Sequence, residues 1–183
     1  MVLFVNACVR KNSRTKRLAD YLLSKIGEPL DEVRLSEVRF PIADEEFIVQ
    51  RGKYVEIADF SHPMFDLAHQ FAEADQIVIA APFWDLSFPA SLKQYFEQIC
   101  VVGITFRYTP EGIPEGLCKA KKLYYVTTAG GDYFPEGYGF GYVKELARTF
   151  YGIPEIELIK AVGLDLDGAN VEQIMRDCLD SIY

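Results

Sequence analysis

The stretch "QIVIAA" at residues 76–81 constrains this chain more than any other. It is β-branched and almost uncharged, and it lacks the alternation that a strand with one wet face would show. Such a run belongs in the middle of a parallel sheet covered on both faces. "VLFVNA" (2–7) is a second continuous apolar run, and "LDEVRL" (30–35) is a weaker strand suited to a sheet edge. "KKLYYVTTAGG" (121–131) reads as a strand ending in a glycine pair, and "IELIKAVGL" (156–164) as a fifth strand. Helical spacing recurs between them. Leu18, Tyr21, Leu22 and Ile26 follow a cap at Asn12 or Ser13, and Phe65, Leu67, Ala68 and Phe71 share a face between Pro63 and Ala74. Leu92, Phe96 and Ile99 mark a helix over 89–103 with Pro89 in its first turn. A further helix surrounds 139–151, and a last one carries Val171, Ile174, Met175, Cys178, Leu179 and Ile182. Residues 36–60, with Pro41 and mixed charge, read as irregular surface chain.

Five strands alternating with helices imply a parallel sheet, and right-handed crossovers leave few ways to wind it. The predicted fold is a three-layer α/β flavodoxin-like domain over residues 1–183, with five parallel strands in the order 2-1-3-4-5. In such sheets a ligand sits beyond the carboxyl ends of the strands, where the strand order reverses. That rule nominates the loops after strands 1, 3 and 4 before any side-chain chemistry is considered.

Composition narrows the classes of partner. A net charge of −8 on 183 residues disfavours nucleic acid and anionic membrane as partners. No apolar run approaches the roughly 18 residues of a membrane span, and "MVLFVNACVRK" places its charges after its apolar stretch, the reverse of a secretory signal. Cys8, Cys100, Cys118 and Cys178 show no paired spacing, so reduced thiols in the cytoplasm are expected. With only His62 and His69, both read as surface residues, no protein-built metal site is expected.

The three nominated loops differ in chemistry. "CVRKNSRTK" (8–16) offers the hydroxyls of Ser13 and Thr15, the charges of Arg10 and Arg14, and the open N–H groups of a helix start, a set that suits a phosphate dianion. The alternative is a plain helix cap with solvated cations. "APFWDLSFPASLKQYFE" (81–97) crowds Phe83, Trp84, Leu86 and Phe88 into one turn, either to face a flat ring or to fill core. "TTAGGDYFPEGYGFG" (127–141) places Gly130 and Gly131 where backbone can approach a ligand, with Tyr133 and Phe134 as walls, unless it is simply a glycine-rich turn. One rim combining phosphate contacts, an aromatic floor and a close backbone edge suits FMN.

The same stretches resemble the FMN-dependent NAD(P)H:quinone oxidoreductases, particularly the bacterial NADH-azoreductases. The likeness is carried by "SRTKRLAD", by "APFWDLSFPASLKQYFE", and by "GITFRYTPEGIPEGLCKAKK" running into "TTAGG". The resemblance implies non-covalent FMN and a homodimer with shared active sites, joined through the 89–103 helix and the "TFRY" segment. It implies that Ser13, Arg14 and Thr15 hold the phosphate with help from Arg10. Pro82, Phe83, Trp84, Asp85 and Leu86 would border the ring, with Thr128, Ala129, Gly130, Gly131 and Tyr133 along its other edge. Phe106, Tyr108, Phe150 and Tyr151 would meet the substrate. Two residues depart from the family pattern. Cys8 stands where many relatives place a phosphate-binding serine, and Asp85 stands where azoreductases commonly have asparagine. A carboxylate facing the ring would make the flavin harder to reduce; one turned outward would not.

The resemblance further implies a ping-pong exchange, from NADH or NADPH to a small aromatic acceptor such as a quinone, azo or nitroaromatic compound. No side chain is then needed as a catalytic nucleophile. A flavodoxin-type electron carrier and a flavin reductase that releases reduced FMN are the competing readings.

Overall fold

The computed structural model describes residues 1–181. Ile182, counted above in the last helix, lies outside the described residues. The central sheet comprises β1 (Val2–Asn6), β2 (Leu30–Arg34), β3 (Gln76–Ala80), β6 (Lys122–Thr128) and β7 (Glu155–Ala161), all parallel, in the order β2-β1-β3-β6-β7. This is the expected 2-1-3-4-5 order once a separate antiparallel ribbon is set aside. That ribbon is β4 (Phe106–Tyr108) paired with β5 (Pro114–Gly116).

The alternation of side chains along the strands divides the core in two. Leu3, Val5, Ile77, Ile79, Leu123 and Tyr125 face one way, under α3 (Asp66–Glu73), α4 (Ala90–Ile99) and α5 (Phe140–Thr149). Val2, Phe4, Val78, Ala80, Tyr124 and Val126 face the other, under α1 (Arg14–Ile26) and α6 (Val171–Asp180). Each helix turns its apolar stripe to the sheet, which explains why β1 and β3 are apolar along both faces.

Several boundaries differ from the sequence reading. Residues 36–60 are not irregular throughout: α2 spans Glu45–Glu56, capped by Asp44, whose carboxylate accepts the Phe47 N–H at 2.9 Å. The helix buries no residue fully, so its sequence carries little apolar periodicity. The 63–74 helix begins as a 3-10 turn at Pro63–Phe65, with His62 Nδ1 accepting the Met64 N–H at 3.2 Å. Pro89 precedes α4 rather than sitting in its first turn.

Register sets the shape of the functional rim. Asn6 is level with Ala80, Ala80 is level with Val126, and β6 runs two residues further to Thr128, opposite Ala161. The carboxyl ends of four adjacent strands therefore open onto one side of the molecule.

Candidate functional site

Loop one is shaped by a buried asparagine. At the end of β1, Asn6 donates from Nδ2 to Glu32 Oε1 at 2.9 Å and accepts the Cys8 N–H at 3.0 Å, turning the chain out of the sheet. Burial pulls the Glu32 carboxyl up, but bonds from Arg34 and Asn6 outweigh it and hold the group below its ordinary value. Ser13 then caps α1, its Oγ accepting the Lys16 N–H at 3.2 Å. The N–H groups of Arg14 and Thr15, at the start of the helix, have no helical acceptor.

Arg10, Lys11, Arg14, Lys16 and Arg17 lie within these eight residues. Lys16 pairs with Asp20 and Arg17 with Glu172. Arg14 Nη1 pairs with Asp165 Oδ1 at 2.7 Å, in a bridge with side chains 41% and 68% exposed. Exposed pairs of this kind are worth about 0.2–1 kcal/mol. Arg10 and Lys11 are exposed and have no side-chain partner among the described residues.

Thr15 lines the same loop and is also bonded across to the sheet. It is 1% exposed, and its Oγ1 lies 2.6 Å from Thr128 Oγ1, tying α1 to the end of β6. Cys8 is half-buried, with its Sγ directed at the Ala80 carbonyl at 3.8 Å. Burial pushes its thiol up against the opposing pull of Ser13 and Lys16, so it is a neutral thiol at pH 7.

Loop two leaves β3 in extended form, with Phe83 N–H donating to Thr128 O at 3.0 Å. Trp84 and Ser87 exchange both backbone hydrogen bonds, at 3.1 and 2.7 Å, around a two-residue turn. Its central residues, Asp85 (φ 49) and Leu86 (φ 66), are both left-handed, the backbone of a type I′ hairpin turn, normally filled by Asn or Gly. A leucine held there is strained backbone. The Asp85 side chain is exposed.

Loop three is fastened on both flanks. Phe134 packs on Phe83 with ring centroids 4.6 Å apart, and Ser87 Oγ donates to Tyr138 O at 3.0 Å. Lys160 lies over the Phe134 ring and pairs with Glu136 at 2.6 Å. On the other flank the β6–β7 ladder continues past the strands: Leu164 N donates to Ala129 O, Asp165 N to Gly130 O, and Gly163 N to Gly131 O. Gly130 is a glycine for a reason the sequence did not reveal. A Cβ there would sit 3.0 Å from Asp165 Cγ and closer still to its carboxylate oxygen, whereas Gly131 faces open space.

These segments enclose a cavity of about 410 Å3 lined by Val9, Arg10, Asn12, Ser13, Arg14, Thr15, Pro82, Phe83, Trp84, Thr128, Ala129, Gly130, Leu164 and Asp165. The size lies within the ~300–1,000 Å3 of small-molecule sites. A larger recess, about 660 Å3, runs along the flank of α2 between Asp44 and Lys53; a single helix lines it, so it encloses nothing. The cavity gathers ten of the residues nominated from sequence. Cys8, Asp85, Leu86, Gly131 and Tyr133 stand around it without lining it. Val9, Asn12, Leu164 and Asp165 were missed. The last two follow β7, and extending the strand-end rule to that strand would have found them.

The nominated substrate aromatics lie elsewhere in the chain. Phe106 is buried edge-on against Phe150 and Tyr108, at 4.7 and 5.4 Å, on the β4–β5 ribbon. Tyr151 is a core residue, 1% exposed, packed on Phe71 at 4.6 Å with its hydroxyl 3.2 Å from Cys100 Sγ. It offers no surface to a substrate.

Comparison with known proteins places this geometry in a family. The model for the flavodoxin-like fold matches residues 1–182. An FMN-dependent NADH:quinone oxidoreductase from Clostridium beijerinckii is 37% identical over 185 residues, covering 96% of this chain and 91% of that protein. The chain belongs to the family of FMN-dependent NADH:quinone oxidoreductases. A second enzyme of that name, from Coprothermobacter proteolyticus, is 35% identical over 192 residues and covers 97% and 94% of the two chains. Among solved structures, an azoreductase from Bacillus anthracis superposes with a TM-score of 0.81 at 25% identity, covering 99% of this chain and 95% of that one.

Proposed function

We propose that the cavity binds FMN non-covalently and that the chain oxidises NADH or NADPH and reduces a quinone, azo or nitroaromatic compound. The observation that carries this reading is one cavity lined both by a helix start with its cations and by Phe83 and Trp84. When bound, FMN supplies the hydride acceptance and two-electron release that no side chain provides, in two separate half-reactions. Ser13, the first-turn N–H groups and Arg10 hold the phosphate; Thr128, Ala129 and Gly130 form the backbone edge. The Phe83–Phe134 pair and the Ser87–Tyr138 bond keep the ring wall in place.

The active form is a homodimer with shared sites. Val102, Tyr108, Ile113 and Leu117 are exposed apolar residues on and flanking the ribbon that follows α4, the surface through which a second copy would dock. Tyr108 from that ribbon would then reach the partner's cavity. No helix among the described residues is long and apolar enough to cross a membrane, and the four free thiols suit the cytoplasm.

The test is anaerobic. FMN-loaded protein mixed with NADH should bleach in one two-electron step, and added benzoquinone should restore the bands. Initial-rate plots at several quinone concentrations should be parallel. Flavin bands untouched by either nicotinamide would point to an electron carrier instead, and intersecting plots would overturn the two half-reactions.

A further inference from the structure

Among the cations of loop one, Arg14 is the one whose counter-ion also lines the cavity. Lys16 and Arg17 pair with Asp20 and Glu172, neither of which lines it. The Arg14 guanidinium donates from Nη1 to Asp165 Oδ1 at 2.7 Å and to Leu164 O at 3.4 Å. Asp165 is an exposed carboxylate on an anchored backbone. Its backbone is fixed by the Asp165 N to Gly130 O bond of 2.8 Å, with the neighbouring Gly163–Gly131 and Leu164–Ala129 bonds on the same ladder. Its carboxylate fills the space where a side chain on residue 130 would stand.

We propose that Asp165 competes with the phosphate of the flavin for Arg14, and so sets how strongly the site discriminates phosphorylated from unphosphorylated flavin. The inference rests on the FMN reading above. A carboxylate and a phosphate draw on the same guanidinium N–H donors and repel each other when they share them. The phosphate therefore gains from Arg14 only by displacing an anion that the fold holds in place. The ion pair is exposed and weak enough to be displaced, yet its carboxylate stays beside the site. Discrimination in the native chain is carried by Ser13, the helix start and Arg10, and removing the Asp165 charge releases Arg14 to add to them.

The experiment compares FMN and riboflavin titrations of the full chain, its Asp165→Asn variant, and the Asp165→Asn/Arg14→Ala double variant at low salt. Flavin fluorescence gives the dissociation constants without any turnover. Asp165→Asn should tighten FMN roughly threefold to tenfold, the scale of one freed charge-assisted contact, and leave riboflavin within about twofold. Arg14→Ala in that background should erase the gain. Riboflavin binding also reports that each variant is folded. Weaker binding of both flavins would make the pair a structural clamp and overturn the proposal. So would unchanged binding of both, or a gain that survives the loss of Arg14. A native chain that binds neither flavin would overturn the FMN reading, and this inference with it.

Discussion

Replacing Thr15 by valine separates a structural hydroxyl from a phosphate-binding one. Valine keeps the volume of this 1% exposed side chain and removes only the oxygen that meets Thr128 Oγ1 at 2.6 Å. A net intramolecular hydrogen bond is worth about 0.5–1.5 kcal/mol. Thr128 borders the cavity, so water can take up its freed hydroxyl, which places the cost near about 1 kcal/mol. For a chain of this length that lowers the melting temperature by about 2–4 °C. Thermal unfolding followed by circular dichroism measures this, and parallel titrations with FMN and riboflavin should change together by less than about threefold. A hydroxyl spent on phosphate behaves differently: losing a hydrogen bond to a charged group costs about 1.5–3 kcal/mol, roughly tenfold to a hundredfold in affinity. An unchanged melting temperature with a selective tenfold loss of FMN binding would refute the structural assignment of Thr15.

Two further outcomes follow from the same geometry. Asp85 is exposed and does not line the cavity, so Asp85→Asn should move the flavin midpoint potential by no more than about 10 mV, a screened interaction of about 0.5 kcal/mol over two electrons; spectroelectrochemistry showing a rise several times larger would mean the carboxylate faces the ring. The Glu32 carboxyl is held below its ordinary value, so its contribution to stability is complete above about pH 4.5 and is lost as pH falls through the lowered value. Denaturant unfolding should therefore show Glu32→Gln to be less stable than the native chain at about pH 6 and nearly equal to it at about pH 3, whereas parallel curves would show that the Asn6 and Arg34 bonds contribute nothing.

What the sequence made legible divides along physical lines. Strands buried on both faces, such as β1 and β3, announce themselves because every position is apolar. The sheet order then follows from handedness and from the loops that carry polar chemistry. α2 escaped because its contacts are partial and its stripe is broken by Gly52 and Gln50. The signal that would have found it is Asp44 ahead of Glu45 and Glu46, an acidic helix start. The β4–β5 ribbon has strands of three residues, too short for any alternation to register.

At the site, residue types were legible and their pairings were not. Ser13 is the expected cap. No sequence pattern says that Thr15 turns to Thr128, that Arg14 is drawn to Asp165 across 151 positions of chain, or that Gly130 makes room for that aspartate. Each is a contact between loops brought level by sheet register. The left-handed pair Asp85–Leu86 is another such case. Aspartate is at home in such a turn but the leucine after it is not, so the pair lacks the signal of Asp-Gly or Asn-Gly and only the Trp84–Ser87 bridge shows the turn.

Trp84 is the only tryptophan in the chain, and it lines the cavity. Titrating the purified protein with FMN while exciting at a wavelength selective for tryptophan therefore reads this one site. Saturable quenching of Trp84 emission, ending at one FMN per chain and accompanied by quenching of the flavin itself, is the expected result. A loss of emission that grows only with the optical density of added FMN, with free-flavin fluorescence preserved, would contradict the assignment of the cavity at the ends of β1, β3 and β6.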